Sequence, residues 1–183
     1  MKIVENFLPQ DLFNKLQNLI IVNDFPWFLR TSMVSLSSSE DSKDLGYFTH
    51  SFYNQNKINS TYYHDYILPI LRLLNAGAVV EVRANLAISS FYNGEYSDFH
   101  IDNNFKCKTA ILYLNDCDGG TQFKVNNETK FVNAEKNKMV IVDSDTLHRG
   151  TTSHNTNFRY IINFNYFEIE NGTSGGVMIN DWQ

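Results

Sequence analysis

A histidine and an aspartate separated by a single residue stand in the stretch EYSDFHIDNNF, residues 95–105. On a β-strand alternate side chains point to the same face, so His100 and Asp102 can reach one metal ion while Ile101 points away. The same pattern also occurs on surface strands, where it carries no chemistry. The choice between the two interpretations depends on a further ligand elsewhere in the chain.

A second histidine, His148, follows an apolar segment in MVIVDSDTLHRG, residues 139–150. At the end of a strand in a barrel, it can approach the mouth where His100 and Asp102 lie. Two imidazoles and one carboxylate on one face of an octahedral ion form the facial triad typical of non-haem Fe(II). Zinc accepts the same ligands, but it is usually four-coordinate and has no redox chemistry. The pattern predicts that His100, Asp102 and His148 bind a catalytic metal, with iron favoured.

An arginine on the next strand-like segment is a candidate anion-binding residue. Arg159 lies eleven residues after His148, in FRYIINFNYF, residues 158–167. An inward-pointing guanidinium can bind a carboxylate through two charge-assisted hydrogen bonds. A dicarboxylic co-substrate that binds iron at one end would need such an anchor at the other. The alternative is that Arg159 is an ordinary surface cation.

Two helices are predicted in the first half of the chain. In LPQDLFNKLQNLI, residues 8–20, leucines and an isoleucine recur at helical spacing, which indicates an amphipathic helix. A second helix is predicted in TYYHDYILPILRLLNAG, residues 61–77, bent near Pro69 and stopped at Gly77. The polar stretch Ser35–Asp44 is predicted to be a surface loop. We interpret this loop and the aromatic stretch GYFTHSFYN, residues 46–54, as a substrate lid within residues 35–60.

From Val79 onward the hydrophobic pattern changes to that of strands. VVEVRANLAISSFY, TAILYL, KMVIV and FRYIINFNYFEI are rich in β-branched and aromatic residues and are separated by turn-like clusters such as NG, DGG and NN. Strands that follow two helices predict an all-β sandwich or barrel with a helical buttress. We predict a single domain, residues 1–183, divided into helix-rich support and loops (1–78), a β core (79–168) and a glycine-rich tail (169–183).

Composition narrows the range of partners and locations. The 183 residues carry a net charge of −5 with 14% aromatic residues, so a general affinity for nucleic acid is not expected. No apolar stretch is long enough for a membrane span. The two isolated cysteines and the absence of a signal-peptide core predict a cytoplasmic protein, and the many Asn, Ile, Phe and Lys residues hint at a bacterial cell or phage-infected host. The sequence gives no oligomeric state.

Five segments in order carry a resemblance to a known family. They are FYNGEYSDFHID, KTAILYLND, GGTQF, TLHRG and FRYIINFNYF. This ordered set resembles the core of Fe(II)/2-oxoglutarate-dependent dioxygenases, most closely the prolyl 4-hydroxylase-like branch of bacterial or phage type. The resemblance spans about residues 80 to 168.

The resemblance implies a mainly β fold with a double-stranded β-helix (jelly-roll) core and N-terminal supporting helices. It assigns His100, Asp102 and His148 to the iron and Arg159 to the distal carboxylate of 2-oxoglutarate. Tyr92 and Tyr113 match aromatic positions that line or bond this co-substrate, although a core tyrosine is the ordinary interpretation of each. The expected cofactors are Fe(II), 2-oxoglutarate and O2, with ascorbate as a supporting reductant.

The expected reaction is hydroxylation of a C–H bond in a small molecule or peptide, with a peptidyl or amino-acid side chain favoured and with release of succinate and CO2. The substrate itself does not transfer with the fold. Two alternatives remain at this point: a non-catalytic jelly-roll binding or structural module, and a cupin-like metalloenzyme that does not use 2-oxoglutarate.

Overall fold

The computed structural model describes residues 1–21, 24–30, 46–89, 98–151 and 153–169. Strands predominate in these residues, as the sequence predicted. Their bounds are β1 Lys2–Val4, β2 Phe28–Arg30, β3 Tyr47–Asn54, β4 Lys57–Ile58, β5 Ala76–Ile88, β6 Lys108–Tyr113, β7 Gly120–Val125, β8 Glu128–Asn133, β9 Met139–Asp143, β10 His148–Gly150 and β11 Phe158–Glu168.

Two helical segments pack on the sheet. Helix α1, Gln10–Ile21, buries Phe13, Leu16 and Ile20, which recur at the spacing of one helix face. A π-helical turn, Tyr63–Ile67, leads directly into the short helix α2, Leu68–Leu73. Pro69 lies in the first turn of α2, where its missing N–H costs little, so the change of helix type occurs where the sequence predicted a bend.

The strands form two sheets that enclose the barrel interior. In the described residues the larger sheet has the order β1-β9-β6-β11-β5-β3-β2, with β4 paired to β3, and the smaller sheet has the order β10-β7-β8. The pairings within both sheets are antiparallel. The mainly β, jelly-roll architecture expected from the sequence is confirmed.

Alternation along the strands divides the interior into two layers. On β6, Ala110 and Leu112 pack against the helices, whereas Ile111 and Tyr113 pack between the two sheets. On β11, Ile162 and Phe164 likewise face the helices. Because neighbouring residues of a strand face opposite ways, the odd-numbered residues of β11 point between the sheets. That interior face carries the candidate site.

Two local predictions are wrong. The second helix ends at Leu73, before Gly77, because Asn75 takes a positive φ of 55° that a helix cannot continue through; Gly77 already belongs to β5. The aromatic stretch proposed as a lid is instead β3, which lies between β5 and β2 and has Phe52 fully buried. The polar segment Ser35–Asp44 and nearly all of the glycine-rich tail lie outside the described residues.

Candidate active site

Backbone pairing brings the two predicted ligand histidines together. The peptide groups of His100 and His148 form an isolated antiparallel bridge, in which each N–H donates to the other's carbonyl oxygen at 2.9 Å. This bridge extends the smaller sheet at β10. Asp102 lies two residues further on, and its Oδ1 is 3.6 Å from His148 Nε2 and 4.0 Å from His100 Nε2. The structure therefore gathers all three predicted ligands at one point.

Both imidazoles are held in the orientation that a metal ligand requires. His100 Nδ1 lies 3.1 Å from the carbonyl oxygen of Asp98, and His148 Nδ1 lies 3.0 Å from that of Thr146. A carbonyl oxygen can only accept a hydrogen bond, so in the neutral imidazoles the proton resides on Nδ1. The lone pair of each Nε2 is then free and faces Asp102. Asp98 thus contributes to the site through its main-chain carbonyl.

The carboxylate of Asp102 is held through one of its two oxygens. Asp102 Oδ2 accepts a hydrogen bond from Asn163 Nδ2 at 3.0 Å, and the Thr109 hydroxyl lies at the same distance. The Thr109 hydroxyl is also 2.7 Å from the Asn165 side-chain amide. With one hydroxyl hydrogen available, Thr109 donates to Asp102 when the Asn165 amide is turned to donate to Thr109. Oδ1 is left free on the side of the two Nε2 atoms.

The electrostatic environment favours an ionised Asp102 carboxylate and a neutral His100 imidazole. Burial opposes ionisation of Asp102, but the neighbouring His148, the hydrogen bond from Asn163, and His100 outweigh it, so the pKa of Asp102 lies below its usual value. Burial, followed by the nearby His148, lowers the pKa of His100. These are the protonation states that metal coordination requires.

The three ligand atoms enclose a space that fits a metal ion. One ligand atom from each residue lies within 4.8 Å of the others, and neither gap between Oδ1 and Nε2 is short enough for a hydrogen bond. Ligand atoms at about 2.1 Å from a common ion would be separated by about 3 to 4 Å. A buried carboxylate and two free imidazole nitrogens thus meet without satisfying one another, and a divalent ion would satisfy all three.

Arg159 lies in the same cavity as the triad and has buried groups without partners. The cavity is lined by His100, Asp102, His148 and Arg159, together with apolar and polar residues of β3, β5, β6, β7 and β11. The Nε and Nη1 atoms of Arg159 are buried and have no hydrogen-bond partner in the described residues. The side chain is not a surface cation, because the residue is only 7% exposed. A buried guanidinium with free donors is expected to bind an anionic ligand.

Of the two tyrosines predicted to contact the co-substrate, the structure describes Tyr113. Tyr113 ends β6, fully buried, and its hydroxyl donates to Thr121 Oγ1 at 2.8 Å. Burial raises the pKa of Tyr113 to about 12, so the phenol stays protonated. Thr121 lines the cavity, and Tyr113 lies behind it. Tyr92 lies outside the described residues.

Several polar residues of the cavity were not predicted. Arg83 and Asn85 from β5, Thr121 from β7 and Asn163 from β11 line it. The alternation in VEVRANLA and FRYIINFNYF, with polar residues at odd positions and apolar ones at even positions, contains the signal that could have identified Arg83 and Asn163. Thr109 carries no such signal, since it is the first of a run of mostly apolar residues.

Residues 86–167 match the family model of the 2OG-Fe(II) oxygenase superfamily. This segment begins on β5, ends on β11 and contains the triad and Arg159. The segment that carries the candidate site therefore resembles the 2OG-Fe(II) oxygenase superfamily. The superfamily uses Fe(II), 2-oxoglutarate and O2, which confirms the cofactors predicted from the sequence.

Solved structures share the fold of this protein at low sequence identity. A prolyl-4-hydroxylase from Pseudomonas putida has 14% identity and a TM-score of 0.65, and the alignment covers 92% of each chain. A 2OG-Fe(II) oxygenase family oxidoreductase from Burkholderia pseudomallei has 11% identity and a TM-score of 0.67, over 90% of this chain and 82% of that one. A Trichoplax adhaerens prolyl hydroxylase, solved with a hypoxia inducible factor peptide, has 17% identity and a TM-score of 0.63, over 91% and 83%.

No curated protein matches the sequence. Within the described residues, no helix combines the length and hydrophobicity that a membrane crossing requires. Cys107 and Cys117 are both free and buried.

Proposed function

We propose that this oxygenase hydroxylates a C–H bond of a small-molecule or peptide substrate, with a peptidyl or amino-acid side chain favoured. His100, Asp102 and His148 would hold Fe(II), and Arg159 would bind the C5 carboxylate of 2-oxoglutarate. The observation that carries the proposal is the pair of unpartnered buried nitrogens of Arg159 in the cavity that also holds three mutually unsatisfied ligand atoms.

The cofactors would supply the oxidising chemistry. One oxygen atom of O2 enters the succinate that forms from 2-oxoglutarate with loss of CO2, and the other enters the C–H bond, so that R–H becomes R–OH. The protein's contribution is position and charge. The carbonyls of Asp98 and Thr146 direct both Nε2 atoms inward, and Asn163 leaves Asp102 Oδ1 free for a single bond to the metal.

The remaining cavity wall would orient the co-substrate and exclude water. Ile111 and Ile161 line it as apolar surface beside Arg159, and Thr121 adds a hydroxyl whose position is fixed by Tyr113. An apolar wall strengthens the pairing of Arg159 with a carboxylate, because the local dielectric constant is low. We propose that Tyr113 supports the co-substrate through Thr121 and that Tyr92 contacts it directly.

Succinate release tests this function. Purified protein with Fe(II), ascorbate and 2-oxoglutarate is expected to release succinate slowly even without the acceptor substrate. His100→Ala should abolish this release, because the metal loses a ligand. Arg159→Ala should weaken 2-oxoglutarate binding by roughly tenfold or more, since a charge-assisted bidentate pair is lost, while metal binding persists.

Two results would contradict the proposal. One is wild-type protein that turns over no 2-oxoglutarate and is indistinguishable from His100→Ala. The other is an Arg159→Ala variant with unchanged 2-oxoglutarate affinity, which would remove Arg159 from the co-substrate site. Arg149→Ala, a change on the adjacent strand β10 outside the cavity lining, is the matched control for loss of an arginine.

A further inference from the structure

A second arginine, Arg83, lines the cavity next to the triad. It projects from β5 at the position paired with Asn163 of β11, the residue that donates to Asp102. Arg159 is paired with Ala87, four residues further along the same two strands. At about 3.3 Å per residue the two arginine backbones are separated by about 13 Å. The cavity is therefore lined by two arginines, Arg83 and Arg159, at separate positions along β5 and β11.

The two arginines have different neighbours. Arg83 is paired with Asn163, whose amide donates to Asp102. Arg159 lies two residues from Ile161, which is paired with Tyr113. Arg83 thus lies on the metal side of the cavity, and Arg159 lies on the side of the small interior cluster around Tyr113. A dicarboxylate bound between the triad and Arg159 would leave Arg83 unused.

The donors of Arg83 are only partly satisfied by the protein. Its Nε is buried without a hydrogen-bond partner, and its Nη1 is 3.6 Å from Glu81 Oε1, too far for a strong bidentate pair. Glu81 also accepts a hydrogen bond from Asn54 Nδ2 at 3.3 Å. The opposite residue, Asn163, has a buried Oδ1 that likewise lacks a partner. A cationic donor and a neutral acceptor are therefore adjacent and unsatisfied.

We propose that Arg83 binds a carboxylate of the acceptor substrate and so fixes the reactive C–H bond beside the metal. Asn163 Oδ1 is placed to accept from a neighbouring N–H or O–H of the same substrate. This inference rests on the proposed function, because it requires the metal and 2-oxoglutarate to occupy their own places. It assigns the acceptor to carboxylate-bearing molecules, such as amino acids or acidic peptides.

A probe smaller than any real substrate tests the site. Protein loaded anaerobically with Mn(II) and saturating 2-oxoglutarate is mixed with acetate, and the paramagnetic relaxation of the acetate methyl protons is measured by NMR. Saturable relaxation is expected for acetate, and much weaker relaxation for acetamide, which has nearly the same shape but no charge. Arg83→Gln should raise the apparent acetate Kd roughly tenfold or more, and Arg83→Lys should have an intermediate effect.

Glu81→Gln provides a second, opposite test. Removing the carboxylate that competes for Arg83 should tighten acetate binding, and this result does not depend on the folding of the Arg83 variants. Equal acetate relaxation in wild type and Arg83→Gln would overturn the inference. So would an Arg83→Gln variant that loses 2-oxoglutarate affinity as strongly as Arg159→Ala, because Arg83 would then anchor the co-substrate.

Titrations of Mn(II) and 2-oxoglutarate separate the two proposals. If the wild type binds neither, the proposed function fails, and this inference fails with it. If both bind and the apparent acetate Kd is the same in wild type and Arg83→Gln, only the assignment of Arg83 is wrong.

Discussion

At the residue scale, the second oxygen of Asp102 decides how this carboxylate can bind a metal. Asn163 and Thr109 both approach Oδ2, so one oxygen is committed to the protein and the other faces the histidines. Groups that orient a metal ligand typically change metal affinity by about 10- to 100-fold when they are removed. The sequence motif shows the ligand but not these supports.

Thr109→Val tests this support with little change in volume. The buried hydroxyl that lies 3.0 Å from Asp102 is removed, so Asp102 can rotate, and the affinity for Mn(II) measured by calorimetry should fall roughly tenfold. Thr109→Ser keeps the hydroxyl and should bind the metal nearly as wild type does. A Thr109→Val protein with wild-type affinity would show that Asn163 alone orients the carboxylate.

At the element scale, the pairing of β7 with β8 requires a residue without a side chain. A Cβ built on Gly120 would overlap the carbonyl oxygen of Val132, which belongs to the neighbouring strand and cannot move aside without breaking the ladder. Strand β7 also pairs with β10, which begins at His148, and it contributes Thr121 to the cavity. The close approach at Gly120 therefore sets the position of the smaller sheet.

Gly120→Ala should lower the free energy of unfolding by about 2 kcal/mol or more, because a backbone oxygen must be displaced. Gly77→Ala is the matched control: its new Cβ would lie 2.8 Å from Cγ1 of Ile169, an exposed side chain that can rotate away. Urea unfolding of both variants measures the difference. Equal losses in the two would contradict the steric argument.

The sequence predicted those elements whose patterns are strongly periodic. Hydrophobic spacing indicates which face of an element is buried, and it was enough to predict helix α1 and strands β5, β6, β9 and β11. Strand β3 was missed because a run of mixed aromatic and polar residues without a clear period resembles a loop. The end of the second helix was misplaced because Asn75 adopted the positive φ that glycine was expected to supply.

The sequence predicted which residues gather at the candidate site, but not the residues that surround them. His100, Asp102 and His148 have a recognisable order along the chain, and Arg159 follows them at a short distance. Alternation within each strand could have assigned Arg83 and Asn163 to the interior face, but their position opposite one another depends on the register that pairs β5 with β11 across 80 residues, which neither segment shows alone. Tyr92 and the division of the chain at residues 79 and 168 stay predictions.

At the scale of the whole molecule, stability is linked to pH through a histidine remote from the site. His50 is buried on β3 among Phe25, Phe52 and Tyr62, with its ring nitrogens 2.9 Å from the Pro26 carbonyl and 2.8 Å from Ser60 Oγ. Burial lowers the pKa of His50 despite the hydrogen bond to Pro26. The folded protein therefore accepts this proton less readily than the unfolded chain.

The lowered pKa of His50 makes the free energy of unfolding fall as the pH becomes acidic. Above a pH of about 6.5, the usual pKa of histidine, neither state holds the proton and His50 contributes no pH dependence. As the pH falls below that value, the unfolded chain takes up the proton first, so the free energy of unfolding decreases until the pH passes the lowered pKa of the folded state. The limiting slope for one proton is about 1.4 kcal/mol per pH unit.

Urea unfolding of metal-free protein between pH 7.5 and 5.0 measures this linkage. His50→Gln should lose less stability than wild type over that interval, whatever its stability at pH 7.5. A His50→Gln slope as steep as that of the wild type would assign the acid sensitivity to other groups.

The bridge between His100 and His148 has a consequence for the folding of the chain. The segment between Asp102 and His148 contains β6 to β9, which belong to both sheets, and the bridge and the candidate ligand side chains lie where its two ends come together. An ion bound there would join two distant parts of the chain in the folded protein alone, and because the unfolded chain lacks this site, binding would stabilise the fold in proportion to the concentration of free metal. Metal-free protein is therefore expected to open more easily around this bridge than metal-loaded protein.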